Sequence, residues 1–176
     1  MKNPLTTTLL LGFLLTAPRP GLAAPRTYEL LPKKCSLVVH LLKDGAGARF
    51  AHDHVIQARK VSGTITLDPD APGVTSVQVK VETRSLDPDA ASLREKYGLP
   101  GHLSPEDRTK VTANLRSEEQ LHVARYPFIT FSSTGVAALK EPGRFRVSGK
   151  LTLRGVTREV SLTVKARLDR GVLKGG

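Results

Sequence analysis

Two histidines in the first third of the chain have the residue type and spacing best suited to chemistry. His52 and His54 are two positions apart in the segment FAHDHV. Side chains at positions i and i+2 of a strand point to the same face, so the two imidazoles could bind one zinc or copper ion. His40, in the preceding apolar run, is a candidate third ligand.

Three interpretations of these histidines fit the sequence. They are surface or rim residues, including polar groups near the head of a ligand; or they form a metal site; or they support metal-assisted hydrolysis. Asp53 would point to the opposite face, and neither Cys nor Glu completes a clear ligand set. Nucleophilic catalysis has less support, because the chain has no Gly-x-Ser-x-Gly motif and no phosphate-binding glycine loop. We therefore expect no nucleophilic catalytic residue and no cofactor.

The elements that must position these residues are strands, and the clearest lie near the end of the chain. Apolar and polar residues alternate over residues 144–154 and again over 160–169. This period of two predicts a pair of half-buried strands. The glycine-containing segment 154–157 between them predicts a tight hairpin. One apolar and one solvated face indicate an antiparallel sheet.

Earlier segments add strands and turns. Residues 35–42 are rich in strand formers, residues 60–68 alternate cleanly, and the segment 77–81 places Val at every second position. The sequence DPDAPG at 68–73 predicts a turn, since Pro fixes φ and Asp and Gly accept turn geometry. About seven strands at this spacing indicate an antiparallel barrel or sandwich.

The connection over residues 86–125 breaks the alternation and carries helical signals. A Ser-Pro-Glu-Asp sequence at Ser104 places an N-cap, a Pro at the first helical position and acids in the first turn. Ser117 repeats the capping-box spacing, so two short helices are predicted after a helical piece at 90–97. We expect this connection to form a partial lid over one open end of the barrel.

The amino-acid composition limits which residues can form the core and which classes of partner the protein can bind. The chain has 176 residues, 39% of them hydrophobic and 5% aromatic, with no Trp and a net charge of +11. The core must therefore be mainly aliphatic. The basic residues are spread along strand faces, and no nucleic-acid-binding motif accompanies them. We expect no nucleic-acid partner, and weak association with an anionic membrane surface is an alternative to a merely solvated basic surface.

The first residues predict export. Lys2, the apolar run 5–17 and small residues before Ala23 and Ala24 are typical of a cleaved secretory signal over residues 1–23. The apolar run is shorter than the ~20 residues that span a bilayer. We expect a periplasmic or secreted protein with one domain over 24–176. Cys35 is the only cysteine, which excludes an internal disulfide and predicts a small buried residue near a strand start.

Two ordered motifs carry a family resemblance. RYPFITFSS at 125–133 and VSGKLTLRGVT at 147–157, preceded by GTITLDPDAPGVTSVQVKVETRSLD, resemble the signature of the YceI-like lipid/polyisoprenoid-binding family. The resemblance covers about residues 28–168. It implies an antiparallel up-and-down lipocalin-like barrel of about eight strands, a secreted or periplasmic location, and no catalytic residues. It also implies a bound isoprenoid or fatty chain as the partner, in a monomer or homodimer.

The chain departs from that family in two places. Family members continue for a further pair of strands after the position of Leu168, whereas this chain ends soon afterwards. The FAHDH segment and the stretch EKYGLPGHLSPEDR are not in the commonest family version. The first departure leaves the closure of the barrel open, because an unclosed sheet has exposed edges.

The apolar faces of the predicted strands supply the candidate ligand lining. An eight-stranded barrel is wide enough for its own side chains or for one small ligand, so these residues either fill the core or line a cavity. The family resemblance favours the cavity. The candidate lining residues are Val77, Val79, Val81, Ile129, Phe131, Phe145, Val147, Leu151, Val160, Leu162 and Val164.

Overall fold

The computed structural model describes residues 24–43, 53–68, 76–99, 101 and 103–176. The predicted signal peptide, His52 and most of the turn at 68–73 lie outside these residues. Two α-helices in the described part are α1 (Ala91–Lys96) and α2 (Pro105–Arg116). Its ten strands are β1 (Arg26–Glu29), β2 (Leu37–Leu41), β3 (His54–Ala58), β4 (Val61–Leu67), β5 (Ser76–Glu82), β6 (Leu86–Pro88), β7 (Phe128–Ala138), β8 (Arg144–Leu153), β9 (Val156–Asp169) and β10 (Val172–Gly175).

The strands form two antiparallel sheets. The large sheet has seven strands in the order β1-β4-β5-β7-β8-β9-β10, and the small sheet has the order β2-β3-β6. The large sheet is a nearly closed barrel wall whose edge strands are β1 and β10. The predicted fold class is confirmed: the chain is mostly antiparallel β, with short helices in one long connection. None of the helices in the described residues is long and apolar enough to cross a membrane.

The predicted hairpin joins β8 to β9. Arg154 and Gly155 both have positive φ, at 50° and 74°, which is the requirement of a type I′ turn. A Cβ on Gly155 would lie 2.7 Å from the ring of Tyr126, so that ring packs directly on the turn. The guanidinium of Arg154 donates hydrogen bonds to the carbonyls of Glu118 and Glu119. The hairpin is therefore fixed against the end of the long connection.

The core lies where the small sheet packs on the large one. Val61 and Val81 face each other across β4 and β5, and both are buried. Ile56 and Ala58 of β3 and Leu86 of β6 pack against this pair. Half-buried apolar residues surround the cluster, including Leu30, Cys35, Leu37, Val79, Leu115, Leu121 and Ile129. Cys35 is thus half-buried against the core two residues before β2 begins, close to its predicted place.

The connection over 86–125 contains one of the two predicted capped helices. Ser104 caps α2 as predicted, because its Oγ accepts a hydrogen bond from the Asp107 N–H at 3.0 Å. Ser117 does not start a helix; it caps the end of α2, and turns follow. The N–H of Leu121 donates to the carbonyl of Leu115, so the chain reverses and packs Leu121 against the core. Burial of this side chain overrides the local capping signal.

A short strand follows Leu168. Residues 172–175 form β10, which pairs with β9 in register from Val172 opposite Asp169 to Gly175 opposite Ala166. The inner face is less covered here than at the core, since Leu162 is 48% exposed and Leu168 52% exposed. The apolar face of the large sheet therefore runs from a buried end at β4 and β5 to an open end at β9 and β10.

Replacing Gly149 with Ala should destabilise the sheet. A Cβ at Gly149 would lie 2.5 Å from the carbonyl oxygen of Ser132 and 2.6 Å from the ring of Phe131. We expect Gly149→Ala to lower the free energy of unfolding by about 1–3 kcal/mol, as overpacking does. The measurement is urea denaturation followed by circular dichroism. Gly135→Ala is the matched control, because nothing lies within 4 Å of a Cβ there; equal effects of both changes would contradict the expectation.

Candidate ligand-binding site

A groove of about 540 Å³ crosses the middle of β4, β5 and β7. Leu30, Val79 and Phe131 contribute its apolar lining. Gly63 lies between Leu30 and Val79, and a Cβ there would be only 3.0 Å from Leu30 Cδ1 and 2.3 Å from the carbonyl oxygen of Gln78. The glycine thus permits close packing at the base of the groove. The volume falls within the range of pockets that hold small organic ligands, about 300–1,000 Å³.

Polar residues of the same strands complete the lining. Side chains alternate along each strand, so Lys80 and Thr130 point to the opposite face from Val79 and Phe131. On that opposite face, Lys80 Nζ lies 3.7 Å from the centre of the Phe128 ring. The apolar side chains that face the groove suit a hydrophobic ligand better than a purely polar one. The other residues that line the groove are Glu29, Pro32, Ser62, Thr64, Gln78, Thr130 and Ser132.

The structure places two of the predicted lining residues directly in this groove. Val79 is opposite Phe131 in the register of β5 and β7, and Phe131 is opposite Leu151 of β8. Val81 and Ile129 lie next to the groove, where they pack in or against the core. Val77 is half-buried on the same face of β5.

The remaining predicted lining residues lie on β8 and β9, away from the groove. Val147 is buried opposite Leu162, which is 48% exposed. Phe145 and Val164 form the next pair on this face, and Val160 is opposite Gly149. The residues continue the apolar face as predicted, but only Val79 and Phe131 contact the groove. Sequence reasoning missed Leu30 as a lining residue, because its place depends on the pairing of β1 with β4.

His54 is held by a buried polar network. Its Nδ1 lies 2.5 Å from Oδ2 of Asp89, whose side chain is fully buried. Oδ1 of Asp89 accepts hydrogen bonds from the Val55 N–H at 3.3 Å and from Nη1 of Arg94 at 2.9 Å. We call this the His54–Asp89–Arg94 network. A buried carboxylate needs such partners, since an unpaired charge in the interior is very costly.

Arg94 ties the network to the surrounding backbone. Its side chain is 9% exposed. Its Nε donates a hydrogen bond to the carbonyl oxygen of Gly101 at 3.2 Å. Its Nη1 also donates to the carbonyl oxygen of Asp53, at 3.4 Å. Asp89 has φ of 53°, a conformation that costs energy for a residue with a side chain. The network therefore joins α1, the end of β6 and the start of β3.

Two of the candidate histidines, His40 and His54, do not come together. His40 is opposite Val55 in the register of β2 and β3, whereas His54 is opposite Leu41. Facing residues share a side of the sheet, so His40 and His54 point to opposite faces. The ring of His40 lies 5.8 Å from that of Tyr97 instead.

His52, the nearest partner predicted for His54, lies outside the described residues. Within those residues, no group of three or more His, Cys, Asp or Glu side chains is placed to hold a metal ion. Sequence reasoning also missed Asp89 and Arg94. Asp89 follows Pro88 in a short polar segment that reads as a turn, and only the fold reveals its burial.

Comparison with known proteins gives the family. The profile described as "YceI-like domain" matches residues 40–175, well over half of the chain. The chain belongs to the YceI-like family. It is 37% identical over 103 residues to Protein YceI of Salmonella arizonae and, equally, to that of Salmonella paratyphi B. The match covers 58% of this chain and 44% of each relative, so the chain spans less than half the length of these curated relatives.

The solved structure of a Burkholderia cenocepacia protein agrees on the fold. The crystal structure of Burkholderia cenocepacia BcnA aligns with a TM-score of 0.53 and 17% identity, over 85% of this chain and 72% of that one. The YceI protein of Campylobacter jejuni has a TM-score of 0.46 and 14% identity, over 65% of this chain and 58% of that one. At such identities, the likeness to BcnA concerns the fold alone.

Breaking the buried ion pair should be strongly destabilising. Arg94→Met keeps an unbranched, apolar stem and a similar helix propensity but leaves the Asp89 carboxylate without the guanidinium. We expect the free energy of unfolding to fall by about 3–5 kcal/mol, the usual effect of removing one partner of a buried pair. Chemical denaturation measures this directly.

Lys110→Met is the matched control, because it removes an exposed helical pair with Glu106. Its expected effect is below about 1 kcal/mol. A loss for Arg94→Met no larger than that of Lys110→Met would show that the network contributes little to stability.

Proposed function

We propose that this protein is a carrier that binds a hydrophobic chain, prenyl or fatty, against the apolar face of its barrel. The observation that carries the proposal is the groove over β4, β5 and β7, with Leu30, Val79 and Phe131 on its apolar side. These side chains offer dispersion contacts and no hydrogen-bonding groups, which suits a hydrocarbon chain. Membership of the YceI-like family agrees with this fold and supports the proposal.

The expected binding free energy is sufficient for micromolar affinity. Burial of apolar surface contributes about 25 cal/mol per Å². A chain that buries ~400 Å² therefore gains on the order of 10 kcal/mol before the costs of ordering and of lost translation are subtracted. A dissociation constant in the micromolar range, equivalent to about −8 kcal/mol, is within reach.

The proposal also includes the location of the protein, and it competes with a second function. The signal-like sequence over residues 1–23 supports a periplasmic or secreted carrier. Metal binding or metal-dependent hydrolysis through His52 and His54 is the competing proposal. It is supported less well, because the suggested third ligand, His40, lies on the opposite face of the small sheet from His54.

Filling the groove should weaken ligand binding without unfolding the protein. Val79→Phe adds a ring to the apolar floor, so we expect the affinity for geranylgeraniol, a long isoprenoid alcohol, to fall at least about tenfold. Titration with a fluorescent competitor measures the affinity, and circular dichroism checks the fold.

Val156→Phe is the control, because Val156 is 57% exposed beside the β8–β9 turn. It should bind as the unmodified protein does. Absence of binding by the unmodified protein, or equal affinity of Val79→Phe and Val156→Phe, would remove support for the carrier.

A further inference from the structure

The imidazole of His54 is fixed in one orientation. Asp89 as a carboxylate only accepts hydrogen bonds, so Nδ1 of His54 is the donor in the 2.5 Å contact. In the neutral ring this tautomer leaves the lone pair on Nε2. Among the described residues, no hydrogen bond to Nε2 occurs, and the side chain is 29% exposed. Nε2 is thus an oriented acceptor without a hydrogen-bond partner among the described residues, on a side chain that is partly exposed.

His54 also lies on the side of the small sheet that faces the apolar interior. Side chains alternate along β3, so His54 shares a face with Ile56 and Ala58. Those two residues pack on the large sheet in the core. Leu30 and Val79, which line the groove, pack against the same cluster. His54 is therefore a polar group at the end of β3, on the same face of the small sheet as two core residues whose cluster also packs against Leu30 and Val79.

The network that holds His54 costs more free energy than a purely structural contact needs to. It buries a carboxylate and a guanidinium and keeps Asp89 at positive φ. Well-packed apolar residues often stabilise a fold as well as a buried ion pair does. Strain and buried charge of this kind are common where a side chain must be held ready for a ligand.

We propose that His54 Nε2 accepts a hydrogen bond from the hydroxyl head group of a long-chain alcohol or phenol whose tail lies in the groove. This inference rests on the proposed function, because it names the polar end of the same ligand. Asp89 and Arg94 act as positioning residues that fix the imidazole. The site then prefers an O–H donor over an ether of the same length, which has no proton to give.

The test compares geranylgeraniol with its methyl ether. The unmodified protein binds the alcohol about tenfold more tightly, as one added hydrogen bond implies. His54→Leu removes the acceptor but keeps an apolar side chain, so the two ligands bind it equally. His40→Leu, on the opposite face, keeps the preference. A nitrogen-15 NMR spectrum adds a second readout: the alcohol shifts the Nε2 resonance of His54 and the ether does not.

The possible outcomes distinguish failure of the His54 subsite from failure of the carrier function. Equal binding of alcohol and ether by the unmodified protein overturns the His54 subsite and leaves the carrier intact. A preference that survives in His54→Leu overturns it as well. Binding of neither ligand overturns the carrier and this subsite together. If His54→Leu does not fold, the affinity ratio and the Nε2 shift in the unmodified protein decide.

A separate observation concerns the outer face of the C-terminal strands. Arg144 is directly opposite Lys165, and Arg167 is directly opposite Lys174. Like charges at facing positions destabilise a sheet. Together with Arg146, these exposed residues form what we call the basic face.

Acidic residues balance only part of the basic face. Glu141 pairs with Arg144 at 2.8 Å and Asp169 pairs with Lys174 at 2.7 Å. Within the described part of the chain, Arg146, Lys165 and Arg167 form no salt bridge. Three positive charges on one side of a sheet thus stay unbalanced, and an anionic surface would relieve their repulsion.

We infer that the basic face docks on an anionic lipid bilayer. The charges are spread over neighbouring strands of one sheet, which fits an extended surface rather than a single small anion. Each basic residue near such a bilayer adds to the attraction, and the attraction falls with salt.

Vesicle co-sedimentation tests whether the basic face binds an anionic lipid bilayer. The protein binds phosphatidylglycerol vesicles at low salt and does not bind phosphatidylcholine vesicles. A double variant, Arg146→Gln with Lys165→Gln, binds the anionic vesicles at least about tenfold more weakly. Lys96→Gln with Lys110→Gln loses the same charge from the helices and changes binding less than about twofold. Equal losses in the two double variants, equal binding to both vesicle types, or tighter binding to a duplex oligonucleotide overturns the inference.

Discussion

The packing of the small sheet on one end of the large sheet is the interaction on which the rest of the structure depends. It buries Ile56 and Ala58 against Val61 and Val81, and it leaves the neighbouring apolar surface of β4, β5 and β7 uncovered by core side chains. The groove exists because the small sheet covers only part of this apolar surface. The same sheet carries His54 on its inner face, so one packing arrangement sets both the apolar and the polar part of the candidate site.

Local sequence patterns predicted the strands well, because the period of two depends only on the strand itself. The alternation over residues 144–154 and 160–169 located β8 and β9, and the glycine at 155 located their turn. The helix expected after Ser117 was wrong. Its capping signal is local, whereas the burial of Leu121 against the core is a tertiary effect that no short window of sequence contains.

The site was predictable only in part for the same reason. Alternation showed that Val79 and Phe131 are apolar-face residues, and the structure adds that they face each other beside Gly63. The partners of His54 could not be predicted, since Asp89 and Arg94 are more than thirty residues away in the chain. The position of His40 on the preceding strand suggested it as a third ligand, but the strand register places it on the opposite face from His54.

The proposed carrier must hold a hydrophobic chain against the apolar face of its barrel. The most direct measurement is mass spectrometry of an organic extract from protein purified from cells without unfolding. The account predicts a prenyl or acyl lipid in amounts comparable to the protein, and its loss when Val79 is replaced by Phe. A lipid-free extract, from protein that also fails to retain an added prenyl alcohol, would contradict the account.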